Sequence, residues 1–258
     1  MTLTAPELDE RMAPIVCSDE IVGKISPYFV GRHGFSSECR ILPFSGDNPC
    51  SLIGMGLVEP GKVALSLGTS DTLFACMSAP RTSSRGEGCL FASPDGTNYM
   101  ALICFMNGSL AREAVRDQYG LDWEGFEEML RKSDAGNAGA MMLPFFAPEI
   151  VPKVATPLVV RADLDSGDVS RNVRAVIEAQ AMSSVIHSQW MGVPISSLYV
   201  TGGASQSTGI LQIFADVHAC PVHRFEITNS AALGAALRAA FSFQRQWGEK
   251  AEWKNLVE

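Results

Sequence analysis

The feature that most constrains the fold is a short apolar strand that runs directly into two glycines and then a helix. Leu198-Tyr199-Val200 is followed by Thr201-Gly202-Gly203-Ala204-Ser205. Apolar spacing predicts that helices and strands alternate around this point: a long helix over 169–191, the strand at 198–200, a helix over 210–218, a strand over 222–225 and a helix over 230–243. The C-terminal third therefore has an α–β–α–β–α pattern, which is typical of an α/β fold.

Upstream of this unit, two apolar runs predict a β-hairpin. Lys62–Leu67 and residues 72–77 are rich in strand-forming residues, and Gly68-Thr69-Ser70-Asp71 between them tolerates unusual backbone angles. The remaining predicted elements are a strand over Tyr99–Phe105 and helices over about 109–119 and 123–131. Residues 1–45 are Pro-rich and weakly patterned, and we expect loops there with one short segment over 21–30.

The composition indicates a well-buried core and argues against one class of partner. Hydrophobic residues make up 47% of the chain and charged residues 19%, so no disorder is predicted. The formal net charge of -8 argues against nucleic acid as a partner, because neutralising a phosphate backbone needs a basic face. A single nucleotide needs only a small local site and is not excluded.

Cysteine usage and the absence of targeting signals predict a cytoplasmic protein. The seven cysteines are scattered and lack Cys-x-x-Cys pairs, so we expect reduced thiols. Residues 1–6 contain no signal-peptide pattern, and no apolar run reaches the length of a membrane span. We therefore expect no membrane partner.

The glycine pair after the 198–200 strand is suited to a nucleotide. Glycine lets the backbone approach a ligand, and a helix that starts here would offer free N–H groups and the positive end of its dipole. The same pattern in isolation also fits an ordinary turn between a strand and a helix.

The hairpin turn is a second candidate for binding phosphate. Turn N–H groups can form an anion-binding concavity, and Thr69 and Ser70 add hydroxyl donors. In isolation this stretch also fits a plain hairpin turn.

A further glycine-bearing bend places an acid where it could take part in chemistry. In Ser45-Gly46-Asp47-Asn48-Pro49, the proline is expected to keep Asn48 out of a helix, so that Asp47 and Asn48 lie on a fixed loop. A carboxylate there could accept a proton from a sugar hydroxyl that attacks a phosphoryl group. The alternative is a turn-forming Asp-Asn pair.

Taken together, the three bends resemble the FGGY carbohydrate kinases. In chain order, the first bend is Gly46-Asp47-Asn48, the second is Ser66-Leu67-Gly68-Thr69-Ser70 about twenty residues later, and the third is Thr201-Gly202-Gly203-Ala204-Ser205; the resemblance rests on these three. Within that family, residues 44–74, 99–110 and 198–240 are most similar to xylulose kinases of the eukaryotic type. The resemblance spans nearly the whole chain and is weakest at 135–166.

The resemblance implies the actin-like, ribonuclease H-like ATPase fold, an α/β fold of which this chain would be mainly the second, C-terminal domain. Residues 1–60 would be a remnant of the N-terminal FGGY domain with the catalytic loop, residues 61–245 the C-terminal nucleotide-binding domain, and residues 246–258 a tail. The family's first domain begins with an Asp-x-Gly-Thr phosphate loop and carries most sugar contacts. Neither feature is found in this sequence, so we expect a truncated kinase that turns over poorly alone.

The resemblance also implies roles for individual residues. Asp47 would be the catalytic base and would contact the sugar together with Asn48. The ATP phosphates would contact Gly68, Thr69 and Ser70, and the adenosine would contact Gly202, Gly203 and Gln206. Trp123 would lie beside the adenine, although it also fits a core residue that anchors its helix. Mg²⁺ would accompany ATP, held by phosphates and water, and no residue of the chain is predicted to bind a metal.

The implied function is ATP-dependent phosphorylation of a sugar hydroxyl, most similar to conversion of D-xylulose to xylulose 5-phosphate. The implied partners are ATP or ADP, a pentulose sugar, and either a complementary N-terminal half or a second copy of the chain. Two alternatives stay open. One is a non-catalytic nucleotide-binding or regulatory fragment that acts through a partner chain, and the other is an actin-like or chaperone-type ATPase.

Two structural expectations follow from the resemblance. The three bends should converge on one cleft, with Asp47 at its mouth. Residues 1–45 should expose apolar side chains where the missing domain would lie, near Ile15, Ile21, Ile25 and Phe29.

Overall fold

The structure is a computed structural model that describes residues 6–225, 229–248 and 250–257. Its helices are α1 (Leu8–Arg11), α2 (Pro27–His33), α3 (Asp47–Gly54), α4 (Ser109–Gln118), α5 (Trp123–Lys132), α6 (Val169–Ser188), α7 (Thr208–His218), α8 (Ser230–Gln246) and α9 (Trp253–Val257). Its strands are β1 (Gly23–Lys24), β2 (Arg40–Ile41), β3 (Lys62–Leu67), β4 (Asp71–Met77), β5 (Cys89–Ala92), β6 (Tyr99–Phe105), β7 (Met141–Phe145), β8 (Leu158–Ala162), β9 (Ser197–Thr201) and β10 (Val222–Arg224).

The described strands form one large mixed sheet and two small hairpins. The large sheet has the order β10-β9-β3-β4-β6-β5. β9 runs parallel to both β3 and β10, whereas β3, β4, β6 and β5 pair antiparallel with one another. The smaller pairs are β1 with β2 and β7 with β8. β3 is therefore the strand at which the parallel and antiparallel parts of the sheet meet.

Both faces of the central strands are buried, and alternate residues of each strand supply the two cores. On β4, Leu73, Ala75 and Met77 join the larger core, which also contains apolar residues of α4, α5, α6 and α7. Phe74 and Cys76 point the other way, into a smaller core that includes Leu52 of α3. This period of two is what a strand between two helical layers requires.

The structure confirms the elements predicted with the strongest periodicity. The hairpin of β3 and β4 pairs Leu67 with Asp71 across the turn, and the long helix is observed as α6, followed by a 3-10 turn over Gln189–Met191. Gly192 then ends the helix with φ 62°, a left-handed conformation that favours glycine. The actin-like α/β class is in accord with this mixed sheet between helices.

Strands β5, β7 and β8 were not predicted from the sequence, and neither were the two-residue strands β1 and β2. β5 lies at the edge of the sheet and is largely exposed, and its four apolar residues, Cys89–Ala92, lack the alternating pattern of a half-buried strand. β7 contains Pro144, which normally argues against a strand, yet this residue pairs with Val159 of β8. The β7–β8 hairpin falls within the part of the chain where the family resemblance is weakest.

The N-terminal residues expose apolar side chains, as predicted for part of the set. Ile15 is 94% exposed and Phe29 45% exposed, whereas Ile21 and Ile25 are half-buried. Phe44, just before the Asp47 bend, is also 94% exposed. No helix of the described residues combines the length and apolar character that crossing a membrane would require.

Helix α3 is held against α8 by a close glycine contact. A Cβ at Gly234 would overlap the carbonyl group of Cys50, at 2.6 Å from its carbon, and a Cβ at Gly54 would lie 2.9 Å from the nitrogen of Gly234. The hydroxyls of Ser230 and Ser51 hydrogen-bond across the same contact at 3.2 Å. The small residues of α8 therefore allow two backbones to touch, as the alanine- and glycine-rich sequence predicts.

We expect Gly234→Ala to destabilise the fold by about 3 kcal/mol, because the added methyl group would overlap the Cys50 carbonyl and force the backbones of α3 and α8 apart. Urea unfolding followed by circular dichroism would measure this. Gly31→Ala is the matched control: Gly31 also lies inside a helix but has open space around it, so this change should be neutral or stabilising by about 0.5–1 kcal/mol. Equal stability of the two variants would contradict the close contact.

His218, at the end of α7, is a half-buried histidine that hydrogen-bonds to a neutral side chain. Its Nε2 lies 2.7 Å from the Ser184 hydroxyl of α6, and its ring stacks on Phe214. Burial lowers the pKa of His218 from 6.5 to about 4. Because the unfolded chain binds a proton in this window and the folded chain does not, stability falls as the pH falls from 6.5 to about 4.

We expect the wild-type chain to lose up to about 3 kcal/mol through this residue between pH 6.5 and 4, whereas His218→Gln should lack that component. Unfolding free energies of both proteins, measured by urea titration at several pH values, would test this. The stability difference between wild type and variant should shrink on acidification. A difference that stays constant with pH would show that His218 does not titrate in this way.

Candidate functional site

The second and third bends meet at the ends of two neighbouring parallel strands. Ser66 of β3 pairs with Thr201 of β9, so the chain leaves both strands at the same edge of the sheet. Gly202 has φ 89°, and a Cβ there would lie 2.8 Å from the carbonyl carbon of Leu67. Only glycine fits this position, because the two turns are in direct backbone contact.

A cavity of about 740 Å³ opens between these turns and α5. It contains five of the predicted ATP-contact residues, namely Gly68, Thr69, Trp123, Gly203 and Gln206. Gly202 and Ser70 do not line it. Gly202 instead supports the contact between the two turns, and Ser70 lies on the adjoining side of the hairpin turn. A volume of this size is within the usual range of small-molecule sites.

Trp123 lies at the start of α5 with its ring partly in solvent. Its side chain is 47% exposed and lines the cavity, while the guanidinium of Arg116 lies 4.5 Å from the ring centroid. Phe126 packs against the ring edge at 5.5 Å. The indole is therefore fixed by neighbours but not buried, so it offers aromatic surface to a ligand.

The helix after the glycine pair does not start where the sequence analysis expected. Gly203–Gln206 forms a 3-10 turn, and α7 begins only at Thr208. At the start of α7, the Glu127 carboxylate accepts hydrogen bonds from the Ser207 and Thr208 hydroxyls and, at 2.9 Å, from the Gly209 N–H, while the Ile210 N–H donates to the Ser207 hydroxyl at 3.0 Å. The start of α7 is therefore capped by side chains and is not the free helix N-terminus expected for an anion, and the bend offers close backbone approach instead.

Asp47 is the first residue of α3 and not part of a loop. The expectation that Pro49 keeps Asn48 out of a helix is wrong, because Pro49 occupies the first turn, where its missing N–H costs no helical hydrogen bond. The first backbone bond of this helix runs from Cys50 to the Gly46 carbonyl. The Asp47 carboxylate is exposed and accepts a hydrogen bond from the Asn48 N–H at 2.7 Å.

The first bend reaches the other two through Asn48. A second cavity of about 210 Å³ is lined by Asn48 together with Ser66, Thr72, Thr201 and Ser230. Ser66 and Thr201 are the residues that lead into the second and third bends. Asn48 therefore lies beside the strand ends that lead into the other two bends, but this cavity and the main one share no lining residue. The expectation of a single cleft with Asp47 at its mouth stays a prediction. Asp47 itself lines neither cavity.

A buried charged network supports the hairpin turn from behind. Arg112 of α4 is fully buried and forms two hydrogen bonds with the Asp71 carboxylate, at 2.8 and 2.9 Å. Burial raises the pKa of Asp71, and the paired guanidinium opposes that shift. Sequence analysis did not identify Arg112; the available signal was a cation on the same helical face as the buried Val115.

No site in the described residues brings together three or more His, Cys, Asp or Glu side chains that could hold a metal ion. Of the carboxylates near the main cavity, Asp71 is paired with Arg112 and Glu127 bonds to the start of α7, whereas Glu113 and Glu124 line the cavity. With no cluster of three such side chains in the part of the chain that the structure describes, a cation that accompanies a nucleotide would take its ligands mainly from that nucleotide and from water.

Residues 63–243 match the C-terminal domain of the FGGY family of carbohydrate kinases. This chain belongs to that family. It is 42% identical over 245 residues to the xylulose kinase of Rattus norvegicus, and this alignment covers 91% of this chain and 45% of that protein. It is 34% identical to xylulose kinase 2 of Arabidopsis thaliana, with 92% and 46% covered. The chain thus spans a little under half the length of these curated relatives.

Solved structures of the family share the fold. A xylulose kinase from Bifidobacterium adolescentis superimposes with a TM-score of 0.78 at 26% identity, covering 86% of this chain and 44% of that one. A glycerol kinase from Plasmodium falciparum, solved with ADP, has a TM-score of 0.72 at 16% identity, covering 89% of this chain and 47% of that one. This chain therefore has the fold of the FGGY kinases, the actin-like ATPase fold.

The contact between the two turns is testable with neighbouring glycines. Gly202→Ala should destabilise the fold by about 2–3 kcal/mol, since it combines a strained φ with overlap on the Leu67 backbone. Gly203→Ala is the control, because no atom lies within 4 Å of a Cβ at that position. Thermal unfolding of both variants would measure the difference. Equal melting temperatures would contradict the observed contact.

Proposed function

We propose that this chain forms the nucleotide-binding half of an ATP-dependent sugar kinase that converts D-xylulose to xylulose 5-phosphate. The observation that carries the proposal is the cavity between the two backbone turns, which joins an exposed aromatic face to a turn with free donors. Family membership supports phosphoryl transfer to a sugar, and the xylulose kinases among the relatives support the choice of sugar.

In this proposal ATP lies along the main cavity. Its adenine packs on the free face of Trp123, opposite the Arg116 guanidinium, where stacking needs an accessible ring. Gly203 and Gln206 contact the adenosine, and Gly202 allows the backbone to come close. The phosphates lie at the Gly68–Ser70 turn. Mg²⁺ would be held mainly by the phosphates and by water, and would supply neutralisation of the phosphate charge.

Asp47 is proposed as the base for the sugar hydroxyl. As the hydroxyl oxygen forms a bond to the γ-phosphorus, the bond to the β,γ-bridging oxygen breaks and ADP leaves. The hydroxyl proton passes to the Asp47 carboxylate. Exposure of this carboxylate supports the assignment, because an incoming sugar can reach it, and Asn48 beside it lines the adjoining cavity. The sugar's other contacts would come from a first domain.

The division into residues 1–60, 61–245 and 246–258 stays a prediction, as does the location of the protein. The cytoplasmic assignment is supported by the cysteines, all seven of which carry free thiols. The family match favours a sugar kinase over the actin-like or chaperone-type ATPase considered from the sequence, since those proteins do not need a base aimed at a sugar.

A second candidate function is a fragment that binds nucleotide and works only with a partner chain. It is favoured by the exposed apolar side chains of the N-terminal region, above all Ile15 and Phe44, which a complementary half or a second copy could cover. The chain's span of under half of its curated relatives points the same way.

Phosphorylation of D-xylulose separates these two functions. We would measure ADP release from the chain alone and after adding the N-terminal half of a relative such as the rat xylulose kinase. Activity only in the mixture supports a nucleotide-binding half that needs its partner. Activity of the chain alone would remove the need for one. ATP binding without turnover in either case would support the non-catalytic fragment.

Where turnover is observed, Asp47→Asn should lower it about a hundredfold or more, because the amide cannot accept the hydroxyl proton. ATP affinity should stay nearly unchanged, since Asp47 does not line the nucleotide cavity. Asp216→Asn, at an exposed position on α7, is the control and should leave both quantities unchanged. Sugar phosphorylation at the wild-type rate by the Asp47 variant would refute the assigned role.

A further inference from the structure

The hairpin turn proposed to hold phosphates has its first carbonyl turned toward the protein. The Gly68 oxygen accepts hydrogen bonds from the Ser109 N–H of α4 at 2.8 Å and from Arg112 at 3.1 Å. Within the described residues, the N–H groups and hydroxyls of Thr69 and Ser70 form no hydrogen bond. The turn is therefore fixed at its acceptor and keeps its donors available.

Arg112 ties together the two ends of this three-residue turn. It holds Gly68, the first residue after β3, and it pairs with Asp71, the first residue of β4. Arg112 is among the residues that line the cavity, but its side chain is fully buried and its guanidinium is paired with the Asp71 carboxylate. Of its nitrogens, Nε has no partner among the described residues.

Gln180 of α6 supports Arg112 from the side away from the turn. Its amide oxygen accepts from Arg112 at 3.0 Å. Its amide nitrogen donates to the Asn107 and Gly108 carbonyls, at 2.7 and 2.9 Å. These carbonyls immediately precede α4, so one side chain fixes both the arginine and the helix that carries it.

Gly108 lets α4 lie directly against the turn. A Cβ at this position would come within 2.7 Å of the Asp71 nitrogen and 2.8 Å of the Ser70 carbonyl carbon. The turn and the start of α4 are thus in direct backbone contact. We therefore expect a change in the Arg112 side chain to alter the shape of the turn.

We propose that Arg112 is a positioning residue for the nucleotide phosphates, acting through the turn and not by contact with the ligand. By holding the Gly68 carbonyl inward and closing the turn at Asp71, it shapes the turn so that the free donors of Thr69, which lines the cavity, can meet a phosphate. This inference rests on the proposed function. It adds the source of phosphate recognition, which is a shaped backbone held by a buried ion pair.

The test compares the affinity of the chain for ATP with its affinity for adenosine, which carries no phosphates. Removing Arg112 alone would leave a buried, unpaired Asp71 and endanger folding. The test variant is therefore Arg112→Met combined with Asp71→Asn. By isothermal titration calorimetry on the full chain, ATP affinity should fall at least about tenfold, while adenosine affinity should change less than about twofold.

A matched control is available in a second buried pair. Arg174 and Glu178 of α6 hydrogen-bond at 2.6 Å, and neither lines the nucleotide cavity. Arg174→Met combined with Glu178→Gln should lower the melting temperature comparably but keep the wild-type ratio of ATP to adenosine affinity. Equal loss of this ratio in both double variants, or its preservation in the Arg112 variant, would overturn the proposal.

Gln180→Met provides a second route that keeps the Arg112–Asp71 pair intact. It removes the support for Arg112 and should reduce ATP affinity about threefold with adenosine affinity unchanged. An unchanged ATP affinity would count against the proposal.

Wild-type protein that binds ATP and adenosine equally well would refute the phosphate role of the turn itself, and so the proposed function. Wild-type discrimination that survives in every variant overturns only the role of Arg112.

Discussion

The parallel pairing of β3 with β9 is the interaction on which the rest of the structure depends. It brings two turns that are over 130 residues apart in sequence to one edge of the sheet, and Gly202 lets them touch. Everything in the nucleotide cavity is placed relative to that contact. The helices behind β3 then fix the hairpin turn, while α5 supplies the aromatic wall. A cleft of this kind needs no mobile loop to be formed, because its floor is made of sheet ends.

The sequence predicted the parts of the fold whose patterns are local. The hairpin of β3 and β4, the long helix α6 and the strand before Gly202 were all evident from periodicity and turn residues. The chain's family and most of the cavity lining followed from the three bends. Helix α3 was mispredicted because two effects of proline compete. Proline disfavours a helical conformation of the residue before it, but the first turn of a helix tolerates proline, and here the second effect decides the structure.

Features that depend on distant partners could not be predicted from the sequence. The start of α7 is fixed by Glu127, which is 80 residues upstream of Ser207. Arg112 looks like one more surface cation until the fold places Asp71 and Gln180 around it. The β7–β8 hairpin forms despite Pro144 because each strand pairs with the other and packs near α6. In each case the deciding energy comes from tertiary contact.

The glycine contact between α3 and α8 bears on how the two proposed substrates would be separated. Asp47 begins a helix whose opposite end is locked to residues near the C-terminal end of the chain, whereas the cavity proposed for the nucleotide is built on the sheet and on α5. The proposed proton acceptor and the proposed phosphate donor site thus lie on different elements of the fold. A small tilt of the α3–α8 pair would therefore change the gap between the proposed sugar and nucleotide sites without altering either surface.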